Sequence, residues 1–366
     1  MPLPVLSSAF GHNESKLSVL ELVRLNLNKM LARKIVKTFE EDPSADFERV
    51  VQEILELYSR RLSTAKDTAR RRMVLDDPPT PPKPRLGGNQ LASAIPVVAS
   101  QLEPSLLTML DACPSAQDIP LLFRKRLPQL IDEGKSLFAG PGRMIVQLKD
   151  NIVVKFGPNI QEEHSMLHYV AHHTSIPVPQ SLGFVVIGDT SYMFTTFIPG
   201  ETLERRWPTL TKDQKTFVCS RLNDIMSELR HVAHSASTPL GSLSVPHVCK
   251  DMRMTLSVSS PDLSAVSQFH DFLVSRPFRG VSMGYLRWLR SLLRDDYRIT
   301  LTHGDFHPRN VMVVDEPNGD ICVSGIIDWE MGGWYPEYWE MYKALNTRSG
   351  NDESDWWNLI PEAILG

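Results

Sequence analysis

The stretch His303-Gly304-Asp305-Phe306-His307-Pro308-Arg309-Asn310 gathers groups that move protons and bind cations, and Asp328 follows eighteen residues past Asn310. A carboxylate such as Asp305 can meet the proton of an attacking hydroxyl. A neutral carboxamide oxygen at Asn310 and a second carboxylate at Asp328 suit Mg²⁺, which takes oxygen donors. A carboxylate five residues before a carboxamide, followed by a further aspartate, is the set that phosphoryl transfer to a hydroxyl needs. A metal hydrolase is the rival reading, because His303, Asp305 and His307 alternate and could ligate zinc. That rival leaves Asn310 and Asp328 without a task.

Upstream, Ile152-Val153-Val154-Lys155-Phe156 sets one lysine in an apolar strand. Eight residues later Glu163 falls in a predicted helix. A strand lysine paired with a helix glutamate is how kinases position ATP phosphates. Glu162 competes for that pairing. Glu163 and Leu167 are four apart and share a helix face, which favours Glu163.

The elements that must position these residues follow from periodicity. Residues 144–148 and 152–156 read as strands around Lys149-Asp150-Asn151, and 162–171 reads as a helix. Residues 181–187 and 192–197 read as two more strands, turning at Gly188-Asp189 and ended by Ile198-Pro199-Gly200. Residues 210–300 read as mostly helical. Residues 311–314 and 321–327 read as a hairpin around Pro317-Asn318-Gly319-Asp320, which brings Asp328 back beside Asn310.

Ahead of this lies a different texture. Residues 15–39 carry Val19, Leu22, Val23, Met30, Leu31 and Ile35 near helical spacing, and Ser44 caps a second predicted helix with Val50, Ile54 and Tyr58 on one side. It runs into Arg60, Arg61, Lys66, Arg70, Arg71 and Arg72. A nucleic-acid signal is one reading of that run; a solvated helix end is the plainer one. The expected layout is a helical extension at 1–75, a proline-rich linker at 76–89 and a helical lead-in at 90–135. A strand-rich part follows at 136–200, and a helix-rich part with the His303–Asn310 loop at 201–366.

Composition narrows the class. Thirty-nine basic against 43 acidic residues give a net charge of −4, which excludes a generally basic nucleic-acid binder. The four cysteines form no CxxC pair, so neither a zinc ribbon nor a disulfide framework is indicated, and a reducing compartment fits. Residues 1–10 lack the pattern of a signal peptide. No apolar run approaches the roughly 18–20 residues of a membrane span. The expected location is the cytoplasm.

Several motifs together resemble one family. They are Val153-Val154-Lys155-Phe156-Gly157, Ser175-Ile176-Pro177-Val178-Pro179 and Phe197-Ile198-Pro199-Gly200-Glu201-Thr202-Leu203. The His303–Asn310 stretch, Gly325-Ile326-Ile327-Asp328-Trp329-Glu330 and Tyr335-Pro336-Glu337-Tyr338-Trp339-Glu340 complete the set. Over about residues 140–346 the chain resembles the aminoglycoside phosphotransferase and choline kinase-like family, most of all its fungal members. The resemblance implies an α+β, two-lobed protein-kinase-like fold, with a small five-stranded lobe and a larger helical lobe. It implies an ATP- and Mg²⁺-dependent small-molecule kinase. In that frame Lys155 meets the α and β phosphates, held by Glu163. Thr196, Phe197 and Ile198 form a hinge against the adenine. Asp305 acts on the acceptor hydroxyl, and Asn310 and Asp328 bind Mg²⁺. Gly304 stands where protein kinases have the arginine that reads a phosphorylated activation loop, so such regulation is not expected.

Three features depart from the family pattern or add to it. Gly140 and Gly142 form no G-x-G-x-x-G loop. The sequence stops at Gly366, where family members usually continue with helices that help wall the acceptor pocket; the expectation is an open or altered pocket or, alternatively, a truncated gene model. Five of the seven tryptophans lie between 329 and 357, and seven acids lie between 328 and 355, an array that suits a cationic acceptor or, alternatively, packs the core. No nucleic-acid or membrane partner is expected. A catalytically idle nucleotide- or ligand-binding module is the alternative function.

Overall fold

The computed structural model describes residues 96–110, 119–140, 142–158, 160–252, 256–275, 281–317, 319–346 and 354–365, with isolated positions between 38 and 58. The chain divides into two compact units, residues 1–81 and 82–366. In the first, positions 49–54, 56 and 58 are helical, and Val50 and Ile54 are buried as the apolar spacing predicts. The helix expected at 15–39 (Thr38 apart), the basic run and the proline-rich stretch lie outside the described residues.

The second unit opens with β1 (Val97–Val98), α1 (Pro104–Met109), α2 (Ile119–Glu133), β2 (Lys135–Gly140), β3 (Arg143–Gln147), β4 (Ile152–Gly157), α3 (Ile160–His173), β5 (Ser181–Ile187) and β6 (Thr190–Thr196). The six strands form one antiparallel sheet in the order β1-β5-β6-β4-β3-β2. Gly188, at φ +59°, permits the two-residue turn between β5 and β6. The pleat sorts β4. Ile152, Val154 and Phe156 join Leu106, Phe123, Leu127 and Phe194 in a core beneath α1 and α2. Residues 153 and 155 therefore point to the opposite face, where α3 packs Met166, Leu167 and Val170 against Phe184 and Met193. Each such buried side chain contributes about 1.5–3 kcal/mol relative to leaving it exposed.

The sheet has six strands where five were expected. The strands β1 and β2 escape a periodicity reading because they lie at the sheet edges and are mostly solvent-facing, which weakens alternation. The expected helical lead-in at 90–135 is accordingly part strand, at β1, and part helix, at α1 and α2.

The chain continues through β7 (Glu201–Thr202), α4 (Leu203–Arg206), α5 (Lys212–His231), β8 (Lys250–Asp251), β9 (Ser257–Val258), α6 (Val266–Ser275) and α7 (Met283–Leu292). It ends through β10 (Ile299–Thr302), β11 (Val311–Asp315), β12 (Ile321–Ile326), β13 (Gly333–Pro336) and α8 (Trp339–Asn346). A capping box of Thr211 and Gln214 starts α5. Its apolar face, Val218, Leu222, Ile225 and Leu229, packs against Leu301, Val311 and Val323. The expectation of mostly helix over 210–300 fails between α5 and α6: the described residues of 232–265 hold no helix, only the β8–β9 hairpin and turns. Pro239, Pro246 and Pro261 disfavour a continuing helix by removing an N–H and crowding the preceding turn, and Gly241 adopts φ +96° beside the Val248 carbonyl.

The expected hairpin forms as β11–β12, and β11 also pairs with β7. Outside it, β10 pairs with β13. Trp329, Trp334, Trp339, Trp356 and Tyr335 are fully buried, so these aromatics pack the core.

Candidate active site

Lys155 projects from the α3-facing side of β4 and is almost wholly buried. Its Nζ lies 2.5 Å from Glu163 Oε2 and 2.6 Å from Asp328 Oδ1. Glu163 stands in the first turn of α3. Its neighbour Glu162 goes elsewhere, to an ion pair with Lys250 on β8. The competition between the two glutamates is thus settled by geometry: adjacent helix residues leave in different directions, one towards β4 and one towards β8.

Electrostatics follow from that crowding. Burial works to lower the Lys155 ammonium, but Glu163 and Asp328 outweigh it and raise it above its ordinary value. Burial works to raise Asp328, and Lys155 overcomes it and holds the carboxyl below the usual range. Glu163 and Glu330 are both held above it, by burial first and then by nearby carboxylates. Carboxylate oxygens of Glu163, Asp328 and Glu330 lie within 4.8 Å of one another. Negative charge is therefore in excess, and the donors are hard oxygens, a set that fits Mg²⁺.

The second half of the site is the turn between β10 and β11. Gly304 takes φ +75°, and a Cβ there would come 2.3 Å from the Met331 carbonyl oxygen. Only glycine fits, which explains why this position carries no arginine. From α8, the buried Glu340 carboxylate accepts the backbone N–H groups of His303 (2.6 Å) and Gly304 (3.1 Å). Burial pushes Glu340 up to about 7, against the pull of those two bonds and of Arg230. His303 is fully buried. Its Nδ1 accepts the Asp305 N–H at 3.2 Å, so Nε2 carries the proton and donates to the Ile327 carbonyl at 3.0 Å. Burial lowers its pKa further, keeping it neutral. With both nitrogens engaged, His303 has none left for zinc, and the alternating His-Asp-His triad loses a ligand.

Asp305 is gripped from its own loop. Asn310 Nδ2 donates to its carbonyl (2.8 Å) and its Oδ2 (3.0 Å), and Arg309 Nη2 donates to both carboxylate oxygens at 2.8 and 2.9 Å. Those bonds leave the Asn310 carboxamide oxygen unused. The Ile327 N–H donates to the Asn310 carbonyl at 2.9 Å, which joins the Asp305 loop to the residue before Asp328. Asp328 itself adopts φ +65°, a conformation that short polar side chains tolerate better than most.

The residues proposed for a hinge lie at the end of β6 and beyond it. Thr196 N–H donates to the Gln180 carbonyl, and Phe197 N–H to the Asn151 carbonyl at 2.7 Å. Ile198 packs against Gly325 of β12, where a Cβ would come within 2.9 Å of it. The β2–β3 hairpin, with Gly142 at φ +76°, presents Arg143 to the Glu330 side chain as an ion pair.

The structure thus brings Lys155, Glu163 and Asp328 into contact, and Asp305 and Asn310 into contact. Sequence reasoning missed Glu330, Arg143, Lys250 and the role of Glu340. Glu330 carries a local signal, two residues past Asp328. The others carry none, because their partners are distant in sequence.

Residues 139–358 match the model of the phosphotransferase enzyme family, APH. No curated protein matches the chain. The chain is similar to the streptomycin–ATP ternary complex of APH(2″)-IIa, at 15% identity over 66% of this chain and 80% of that one, with a TM-score of 0.45. It is similar to the aminoglycoside-3′-phosphotransferase of type VIII at 19% identity, over 63% and 82%, with a TM-score of 0.42. It is also similar to APH(3″)-Id from Streptomyces rimosus at 16% identity, over 65% and 87%, with a TM-score of 0.42. The family match takes in Lys155, Glu163, Asp305, Asn310 and Asp328 alike, and on that ground the chain belongs to the phosphotransferase enzyme family.

Proposed function

We propose that this protein transfers the γ-phosphoryl group of ATP, with Mg²⁺, to a hydroxyl of a small-molecule acceptor. The observation that carries the reading is the buried Lys155 meeting a helix carboxylate and a turn carboxylate, Glu163 and Asp328, at 2.5 and 2.6 Å. In this reading the six-stranded sheet with α1–α3 is one lobe and residues 201–366 the other. The segment Thr196–Ile198 lines the adenine, and Lys155 holds the α and β phosphates.

Asp328 and Asn310 would hold the cation, with Glu330 beside them. When bound, Mg²⁺ neutralises phosphate charge. Asp305 accepts the acceptor's proton as the acceptor oxygen bonds to the γ-phosphorus and the bond from that phosphorus to the β–γ bridging oxygen breaks. His303, neutral and bonded at both nitrogens, fixes the backbone from which Asp305 projects. A small-molecule acceptor is in keeping with the phosphotransferase family to which residues 139–358 match.

A catalytically idle binding module is the second reading. The contact of Arg309 Nη2 with both Asp305 carboxylate oxygens favours it, since a carboxylate engaged by its own loop must be released before it meets an acceptor hydroxyl. The two are separated by incubating the protein with ATP, Mg²⁺ and a metabolite pool and following phosphate gain by mass spectrometry. ATP should raise the melting temperature only with Mg²⁺, by the equivalent of about 2.7 kcal/mol at a hundredfold excess over Kd. The variant Asp328→Asn should lose the Mg²⁺-dependent part. An ATP shift indifferent to Mg²⁺ in the unaltered protein would overturn the proposal.

A further inference from the structure

We infer that Lys250 is a positioning residue that ties α3 to the turn bearing Asp328, and so keeps Glu163 and Asp328 together on Lys155. Its consequence for turnover rests on the phosphotransferase reading; the tie itself does not. Lys250 opens β8, in the segment that sequence reasoning took for helix. Its side chain is only 9% exposed, and an ammonium taken out of water must be paired. Its Nζ makes an ion pair with Glu162 on α3 and donates to the Glu330 carbonyl at 3.0 Å. One cation therefore spans two elements that are far apart in sequence.

Those are the two elements that supply carboxylates to Lys155. Glu162 and Glu163 are neighbours on α3, and Asp328 and Glu330 share one turn. Lys155 joins Glu163 to Asp328; Lys250 joins Glu162 to the Glu330 backbone. The two lysines act as parallel ties across the same gap. The anchor behind Lys250 is firm, because its own N–H donates to the hydroxyl of fully buried Tyr335 on β13 at 3.1 Å. The Glu330 side chain is held from the other direction by Arg143. An apolar pair of like volume would stabilise the fold as well as a buried ion pair does. What the ion pair adds is direction: it fixes how far α3 stands from the turn.

Without Lys250, Glu162 would be a part-buried carboxylate lacking its partner, and α3 would gain freedom to turn it towards water. Glu163, on the same helix, would move with it and loosen its hold on Lys155.

The test uses the full chain with Lys250→Met, Lys250→Arg and Glu162→Gln, read by hydrogen exchange without ligand and by the Mg²⁺·ATP melting shift. Lys250→Met should raise exchange about tenfold in residues 160–173 and 328–332 while α5 and α7 stay as they were. Lys250→Arg should restore most of the protection and of the nucleotide shift. Glu162→Gln should raise exchange in the same two segments, and the Glu162→Gln/Lys250→Met pair should be no worse than Lys250→Met alone. Unchanged exchange in α3, or a rise spread evenly over the whole chain, would overturn the tie. If Lys250→Met does not fold, Glu162→Gln decides by the same criterion. Failure of the unaltered protein to bind Mg²⁺·ATP would sink the phosphotransferase reading, and the exchange pattern would still decide the role of Lys250.

Discussion

Lys155 and Asp305 are held by different kinds of structure. Lys155 sits inside a regular strand, and the alternation of β4 alone decides its direction: Ile152, Val154 and Phe156 bury on one face and Lys155 emerges on the other. Asp305 sits in a turn whose backbone passes through left-handed geometry at Gly304, and its companion Asp328 does the same. No repeating pattern holds such a turn. It is held by side chains recruited for the purpose: Glu340 on two backbone N–H groups, His303 through both ring nitrogens, and Asn310 on Asp305. A strand places a charge through apolar neighbours that would be there in any case. A loop places one only through buried polar groups, each of which must be satisfied. Substitutions in the two regions should therefore fail in different ways.

The largest effect expected is on turnover. Asp305→Asn keeps size and most hydrogen bonding but loses the charge that draws the proton. Phosphoryl transfer should fall about 10²–10⁴-fold, with the Mg²⁺·ATP melting shift nearly intact. Lys155→Met should instead lose both activity and nucleotide shift, and destabilise by about 3–5 kcal/mol, because Glu163 is left buried without its cation. Equal activity of the unaltered protein and Asp305→Asn would favour the idle module.

Next comes the backbone of the turn. Gly304→Ala adds about 1–3 kcal/mol of conformational strain and sets a Cβ 2.3 Å from a backbone oxygen that cannot step aside. A loss of about 3 kcal/mol or more is expected from urea denaturation. Gly284→Ala is the control. That glycine lies in exposed α7 with nothing closer than 3.9 Å, and the change should stabilise by about 0.4–1 kcal/mol. Similar losses at both positions would mean that the Gly304 turn is not specially constrained.

Glu340 offers a pH test. Its ordinary value is 4.5 and its folded value about 7. The folded state then binds the proton more tightly than the unfolded state. Stability from this group is full below about 4.5, declines as pH rises, and is gone above about 7. At about 1.4 kcal/mol per unit the swing is about 3 kcal/mol. Between pH 5 and pH 8 the unaltered protein should lose more stability than Glu340→Gln, which has nothing to titrate. Parallel profiles would show that Glu340 stays ionised throughout.

The same contrast explains what could be read in advance. Lys155, Glu163, Asp305, Asn310 and Asp328 were legible because each belongs to a short run whose spacing carries the chemistry, or to a helix face that period 3.6 reveals. Most of the central strands were legible because both faces are buried. Glu340 was visible as a residue and invisible as a support, since the N–H groups it accepts lie 36 and 37 positions away. Lys250 meets Glu162 across 88 positions, and no spacing rule reaches so far. The 232–265 segment was misread because helical stripes on either side of it, at 217–229 and 269–273, were carried across it, while its own prolines disfavour helix.

The smallest effect concerns an ion pair in the loop that faces water, Arg309 with Asp305. Arg309 is 42% exposed and Asp305 20%, so their bond competes with solvent and is screened, and such pairs contribute about 0–1 kcal/mol. Asn310 keeps its hold on Asp305 when Arg309 is gone. Arg309→Ala should therefore lower the melting temperature by no more than about 2–4 °C. An active enzyme should keep turnover within about tenfold of the unaltered protein. A stability loss as large as that of Gly304→Ala would show instead that the turn depends on this exposed pair, and the division between buried supports and surface contacts in the loop would have to be redrawn.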